Sequence, residues 1–290
     1  MSNTAVPSPA DRDVITNASS LDCTITAYAT SRLTTDEANA LRKKSDTLPG
    51  NLGNSLLRHC DEQTLVALVA VRDAIERFET PQASFQDWGV VCSSRYLGRS
   101  AFAQALNKFA VDGPWNVSVQ VVPNRSLHSP ASMVGLALGC HGPCVGVGGG
   151  LDGEPEAWLT AASLLDQHKL PGIWLVFSGW EPDHPIDVEG VPLSETQCTA
   201  LVIGLQADTA AGSLARMRIM CDPSAPAGLE IPAKSTAIAS FERFIATQAT
   251  KPEMKAMLGG GLCAQFEWSA DAATTIPLST PFTGNQKKAA

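Results

Sequence analysis

The chain alternates between short apolar runs of strand character and longer segments with helical spacing. "CTITAYATSRL" (23–33) is rich in β-branched and small residues and predicts a strand. In "DEQTLVALVAVRDAIERF" (61–78), Leu65, Leu68, Val71, Ile75 and Phe78 recur on one helical face, and Asp61 is placed to cap the free N–H groups of the first turn. "WGVVCSS" (88–94) reads as a buried strand. "SAFAQALNKFA" (100–110) predicts a helix that aligns Phe102, Leu106 and Phe109, and "SPASMVGLALGC" (129–140) a helix of small residues with Ser129 as its N-cap. "CVGVGG" (144–149) is strand-like again. "PEAWLTAASLLDQHK" (155–169) is helical, with Pro155 suited to the first position. "GIWLVFSGW" (172–180) and "CTALVIGLQAD" (198–208) are two further strands. Strands alternating with helices make βαβ units, so the expected fold is α/β, with a largely parallel sheet covered by helices on both faces. After residue 209 the pattern thins to a strand (SLARMRIMC), a helix (STAIASFERFIATQ) and a final apolar stretch (LCAQFEW). The expected organisation is one domain over 21–209, a shorter portion over 210–281 packed on it, and polar, aperiodic ends at 1–20 and 282–290 that fray.

Composition narrows the classes. Hydrophobic residues make up 44% of the 290 and charged residues 17%, which specifies a folded domain with ample core. The net charge is −8, with an isoelectric point near 5.1 and no run of Lys or Arg. Nucleic acid and anionic membrane surfaces are therefore not expected partners, since both need a basic footprint. No apolar run approaches the ~18 residues of a membrane span, and the N-terminus lacks the basic-then-apolar signal pattern, so a cytoplasmic location is expected. The eight cysteines are scattered among apolar neighbours and read as reduced, buried thiols.

The segment "CVGVGGGLDGE" (144–154) is the most distinctive. Gly148-x-Gly150-x-x-Gly153 follows a strand, opens a helix and has the spacing of a dinucleotide fingerprint. Three features oppose that reading. Asp152, Glu154 and Glu156 place carboxylates where a pyrophosphate would sit. The motif does not open the first βαβ unit. Glu181, the acidic residue ending the next strand, lies 28 residues beyond Gly153, against the usual ~20. Tight packing of strand on helix is the competing explanation of the glycines. Nearby, Cys140, His141 and Cys144 supply at most three metal ligands with no second cluster, so no metal is implied. His128 and Ser129 are adjacent and rarely point at each other, which disfavours a nucleophile pair. Cys92 ends a strand with no basic partner in sight. Glu181, Asp183, His184 and Asp187 form a polar loop at a strand's C-terminal end, where α/β proteins often carry function.

A family resemblance organises these pieces. "VVPNRSLHSPASMVGLALGCHGPCVGVGGG" resembles the segment of β-ketoacyl-ACP synthases that runs from a Pro-Asn turn through a small-residue helix and a Gly-Pro pair to the strand delivering the catalytic cysteine. "RHCDEQTLVALVAVRDAI" is similar to that family's early helix, "WGVVCSSRYLG" to its glycine-ended strand, "GIWLVFSGWE" to its Gly-Gly-x-Glu strand and "CTALVIGLQ" to the strand that follows. The resemblance spans roughly 24–208 and implies a thiolase-like layered fold: one largely complete βαβαβ repeat with a shortened second half. It also implies that the nucleophile position, eight residues after Pro143, is Leu151, which cannot form a thioester. The family's basic proton-handling groups come from the second half, yet none of the five histidines lies beyond His184. The implied protein lacks condensation activity and acts as a non-catalytic, chain-length-factor-like partner in fatty-acid or polyketide-type biosynthesis. Chain-length factors are full-length and typically carry glutamine at the cysteine position, so this chain departs from them. The implied partners are a ketosynthase subunit or a second copy, with an acyl carrier protein as a further partner. Asn124, His128, Met133, Val145 and Val147 would line the dimer edge. No cofactor is implied. Two alternatives stand beside this reading: an acyltransferase or thioester-handling enzyme using Cys92, Cys140 or Cys144, and a dinucleotide-binding protein using Gly148, Gly150 and Gly153.

Overall fold

The computed structural model describes residues 20–43, 48–50, 52–78, 84–148, 150, 153–183, 185–194, 196–207, 213–221, 238, 241–242, 253–259 and 262–269. The chain opens with the long strand β1 (Leu21–Leu33). Helix α1 (Thr35–Leu41) starts from a capping box between Thr34 and Glu37. After the single turn α2 (Asn54–Leu57) comes α3 (Glu62–Ile75), capped as expected by Asp61, which accepts from the Gln63 N–H at 2.9 Å. Then follow β2 (Gly89–Ser94), α4 (Arg99–Asp112), a 3-10 turn (Pro114–Asn116), α5 (Val121–Arg125), α6 (His128–Leu138) and β3 (Cys144–Gly146). Helix α7 (Gly153–His168) leads to β4 (Ile173–Glu181) and β5 (Gln197–Gln206). Strands β6 (Ala215–Cys221), β7 (Glu253–Gly259) and β8 (Leu262–Trp268) complete the order.

All eight strands join one sheet, β3-β2-β4-β5-β1-β6-β8-β7. The sheet is mixed, which corrects the expectation of a largely parallel one. Only β2 pairs in parallel, with β3 and with β4, while every other pairing is antiparallel. The reason lies in the connections. Strands β1 to β4 are joined through helices and all run the same way, as βαβ crossovers require. No helix separates β4 from β5, so β5 folds back antiparallel and inserts between β4 and β1. Strands β6, β8 and β7 then extend the sheet beyond β1, β7 falling in a stretch whose sequence gave no strand signal.

Helices cover both faces of the sheet. On one, α3 and α6 pack over Val90, Cys92, Trp174, Val176, Ala200 and Val202. The rings of Phe78, Phe85, Trp88 and Trp174 close that layer at one end, with Trp88 and Trp174 5.3 Å apart between centroids. On the other face, α7 sets Ala157, Trp158, Ala161, Ala162 and Leu165 against Val91, Leu175, Phe177 and Leu201. Two local expectations are revised. Ser129 is not an N-cap: α5 ends at Arg125, the chain turns into α6 at His128, and Ser129 is already buried in the first turn. Helix α7 starts at Gly153, so Pro155 is its third residue, still within the turn whose N–H groups have no intrahelical acceptor. The aligned Phe102, Leu106 and Phe109 of α4 do not form a core stripe, because no residue of α4 is buried. Most of the expected helix at 235–248, and both terminal segments, lie outside the described residues.

Candidate functional site

Because β2 and β4 are parallel neighbours, their C-terminal ends meet at one rim of the sheet, facing the start of α7. Open α/β sheets place ligands at such rims. Both strands change from apolar to polar there: β2 ends in Ser93 and Ser94, and β4 carries Ser178 four residues after Trp174. The Ser94 and Ser178 hydroxyls are 2.8 Å apart, and the Ser178 hydroxyl donates to Gln63 Oε1 at 3.1 Å. Gln63 is wholly buried in the first turn of α3, and its Nε2 donates to the Arg95 carbonyl at 3.0 Å. This satisfied polar chain ties the N-terminus of α3 to both strand ends. Arg95 pairs through its guanidinium with Asp183, while its buried Nε has no hydrogen-bond partner among the described residues. Tyr96 follows at φ 52° and Gly98 at φ 70°, a left-handed turn that seats the Tyr96 ring 5.9 Å from the Arg95 guanidinium and 5.1 Å from that of Arg99.

Two cavities flank this rim, with Trp180 lining both. The larger, about 200 Å³, is bounded by Asp61, Glu62, Tyr96, Arg99, Arg125 and Asp183. Its carboxylates are matched by guanidinium groups: Asp61 by Arg125 at 2.9 Å, Glu62 by Arg42 at 2.6 Å, and Asp183 by Arg95. Burial pushes the Asp61 carboxyl up to about 6; the Glu62 charge adds to this, and Arg125 opposes it. The smaller chamber, about 10 Å³, has room for roughly one water and is lined by Ser93, Arg95, Gly150, Glu154, Ser178 and Glu181.

The glycine corner borders this chamber. A Cβ on Gly148, at φ 66°, would lie 2.3 Å from the Gly153 Cα, and one on Gly153 would lie 2.8 Å from the Ser93 hydroxyl oxygen. A Cβ on Gly146 would meet the Leu127 carbonyl at 2.1 Å. Two of the three glycines with dinucleotide spacing therefore pack on one another, which accounts for them without a ligand. Around Gly150 a Cβ would meet nothing. Leu151 and Asp152 lie outside the described residues, as does His184.

The remaining candidates are placed as follows. Cys92 is buried, and burial holds its thiol well above the ordinary range, with Cys144 adding to the effect. Burial likewise pushes Cys140 up to about 12 and raises Cys144. All three are free thiols kept protonated, the opposite of an activated nucleophile. Among the described residues no group of three or more His, Cys, Asp or Glu could hold a metal ion. His128 is exposed at the start of α6. Asp187 folds its own loop, accepting from the N–H groups of Glu189 at 2.9 Å and Val191 at 2.7 Å. Val145 lies in the half-buried edge strand β3, and the Val147 N–H extends its pairing by donating to the Cys92 carbonyl at 2.8 Å. The Leu127–His128 backbone touches Gly146, which brings the α5–α6 corner, with Asn124 close by in the chain, to that edge; Met133 packs partly buried in α6. Ser93, Ser94, Arg95, Gln63 and Ser178 are functional candidates that the sequence reading passed over. For Ser93, Ser94, Arg95 and Ser178 the signal was polar residues closing the apolar runs "VVCSSR" and "LVFSGW", whereas Gln63 lies in neither run.

No protein-family profile matches the chain, and none of the curated protein sequences matches it. Solved structures do. One is a chain from a ketosynthase (ApeO) in complex with its chain length factor (ApeC) from Xenorhabdus doucetiae, matched with a TM-score of 0.51 and 14% identity over 85% of this chain and 99% of that one. A chain of the ishigamide ketosynthase/chain length factor matches at 0.48 and 14%, over 69% of this chain and 68% of that one. A β-ketoacyl synthase from Burkholderia phymatum STM815 matches at 0.45 and 14%, over 67% and 62%. The chain thus has a mixed α/β, thiolase-like fold, the fold of ketosynthase and chain length factor structures. No helix among the described residues is long and apolar enough to cross a membrane.

Proposed function

We propose that this chain is the chain-length-factor-like, non-condensing partner of a cysteine-bearing ketosynthase in fatty-acid or polyketide-type biosynthesis. The observation that carries the reading is the nearly end-to-end match to a chain taken from a ketosynthase–chain length factor complex. Since 85% of this chain spans 99% of that one, the solved chain is the shorter of the two, and a short chain is no obstacle to such a role. Two features of the chain support it. The position eight residues after Pro143 is Leu151, and Cys92, Cys140 and Cys144 are held protonated, so a thioester-forming thiolate is lacking at the glycine corner. The segment from α4 to α6, of which α6 packs on the edge strand β3, carries Leu106, Phe109, Trp115, Val122 and Leu136 exposed. An open edge strand flanked by apolar side chains suits continuation of the sheet into a partner subunit. In this reading Asn124, His128, Met133, Val145 and Val147 lie in the contact, and an acyl carrier protein visits the assembled pair.

The test is reconstitution with a cysteine-bearing ketosynthase from the same cells. Sedimentation of the mixture should give a 1:1 complex that condenses acyl thioesters, while this chain alone gives no condensation product. Condensation by the isolated chain, or two species that sediment independently, would refute the proposal.

A further inference from the structure

Across 99–128, which holds α4, the 3-10 turn and α5, no residue is buried, whereas the chain is buried on either side, at Leu97 and Gly98 before it and at Ser129 and Pro130 after it. A segment that buries nothing gains little from the hydrophobic effect, so polar ties must hold it in place. Helix α4 packs mainly on the 3-10 turn and on α5, its own neighbours in the chain. Its Ser100, Gln104 and Asn107 side chains donate to the carbonyls of Gly190 and Val188 in the loop after β4, where Val188 is itself exposed. A tie into the buried body is made by Arg125, whose guanidinium donates to Asp61 Oδ2 at 2.9 Å at the head of α3. The larger cavity is walled by Arg99, Gln104 and Arg125 of this segment on one side and by Asp61, Trp180 and Asp183 on the other.

Asp61 divides its two oxygens between two tasks. Oδ1 accepts from the Gln63 N–H and caps α3, while Oδ2 takes Arg125. Neutralising the carboxyl therefore keeps the cap and removes the ion pair. The charged groups around it are Glu62 on α3 itself, Arg125 from α5 and Arg42 from α1, the last engaged with Glu62 at 2.6 Å and with the Cys60 carbonyl at 2.9 Å. The thiols of Cys60, just before α3, and Cys198, from β5, face it too, and burial keeps both protonated. Asp183 lines the same cavity, paired with Arg95.

We propose that 99–128 is a flap over this cavity, latched by the Arg125–Asp61 pair at neutral pH and released when Asp61 takes up a proton. Burial, which holds the carboxyl at about 6, sets where that happens. The same proton stabilises the fold as a whole, so the release is local and is not acid unfolding. The inference stands apart from the partnership, because the latch is read on the isolated chain.

The experiment is hydrogen–deuterium exchange of the full chain at about pH 5 and about pH 7.5, on either side of the Asp61 titration, with each rate divided by the intrinsic rate of the same peptide. Protection over 99–128 should fall at least about tenfold at the lower pH, the scale of one charge-assisted hydrogen bond, while α3 and α7 keep theirs. Asp61→Asn, which retains the cap, should give the released pattern at both pH values, and so should Arg125→Met. Glu62→Gln removes a repelling charge and should move the transition to lower pH. Equal protection of 99–128 at both pH values in the unmodified chain overturns the proposal, as does a segment that stays protected in Asp61→Asn. Loss of protection that spreads into α3 overturns it too, since the event would then be melting of the helix head.

Discussion

Helices α3 and α4 are each 14 residues long and carry apolar residues at helical spacing, yet they end in opposite environments. Along α3, Leu65 through Val71 are all buried, and the helix is apolar nearly all round. Nothing in α4 is buried: Leu106 is 68% exposed, Phe109 53%, and Trp115 just beyond it 96%. The difference is one of position. Helix α3 packs on β1, β4 and β5 of the sheet, beside α6 and α1. Helix α4 is pinned at its polar face, where Gln104 and Asn107 donate to the carbonyls of Gly190 and Val188, and its apolar stripe stays unburied among the described residues. The same periodicity thus builds a core in one place and, on the proposed account, an interface in the other.

Removing a side chain from each helix separates the two roles. Leu68→Ala in α3 should lower unfolding free energy by about 2–5 kcal/mol, because the site is sealed and leaves a cavity; urea denaturation reads this directly. The next effect concerns the head of α3. Burial raises the Asp61 carboxyl from its ordinary 3.8 to about 6. The folded chain keeps that proton where the unfolded chain releases it, so the contribution is fully present below 3.8 and is lost as the pH rises through about 6. A loss of roughly 3 kcal/mol is expected across that window, and Asp61→Asn, which keeps the cap, should flatten the profile. On the other helix's side, Trp115→Ala should weaken ketosynthase binding by about tenfold, the cost of losing one interfacial aromatic. The smallest effect is on the fold itself: Leu106→Ser in α4 should change stability by no more than about 0.5 kcal/mol. A large loss of stability there would mean that α4 supports the core after all.

Periodicity made most of the chain up to residue 209 legible. Helices α3 and α7 and strands β2, β4 and β5 are long or uninterrupted enough to be read one at a time. Strand direction was not readable that way: β5 runs antiparallel because its connection to β4 lacks a helix, and the loop "PDHPIDVEGVPLSET" gives no sign of where β5 inserts. Strand β7 was missed because "EMKAMLG" mixes charge with Met and Ala and depends on β8 for its edge. At the rim, the glycines drew attention, but Gly148 and Gly153 serve each other. The polar groups that converge there come from α3, β2, β4 and α7. Serine, glutamine and arginine at such separations carry no spacing signature until the sheet brings them together.

The most direct test of the central claim is native mass spectrometry of the full-length protein purified from its own cells. The account predicts a 1:1 complex with a ketosynthase that bears the active cysteine. A lone monomer, or a homodimer without that subunit, would contradict it.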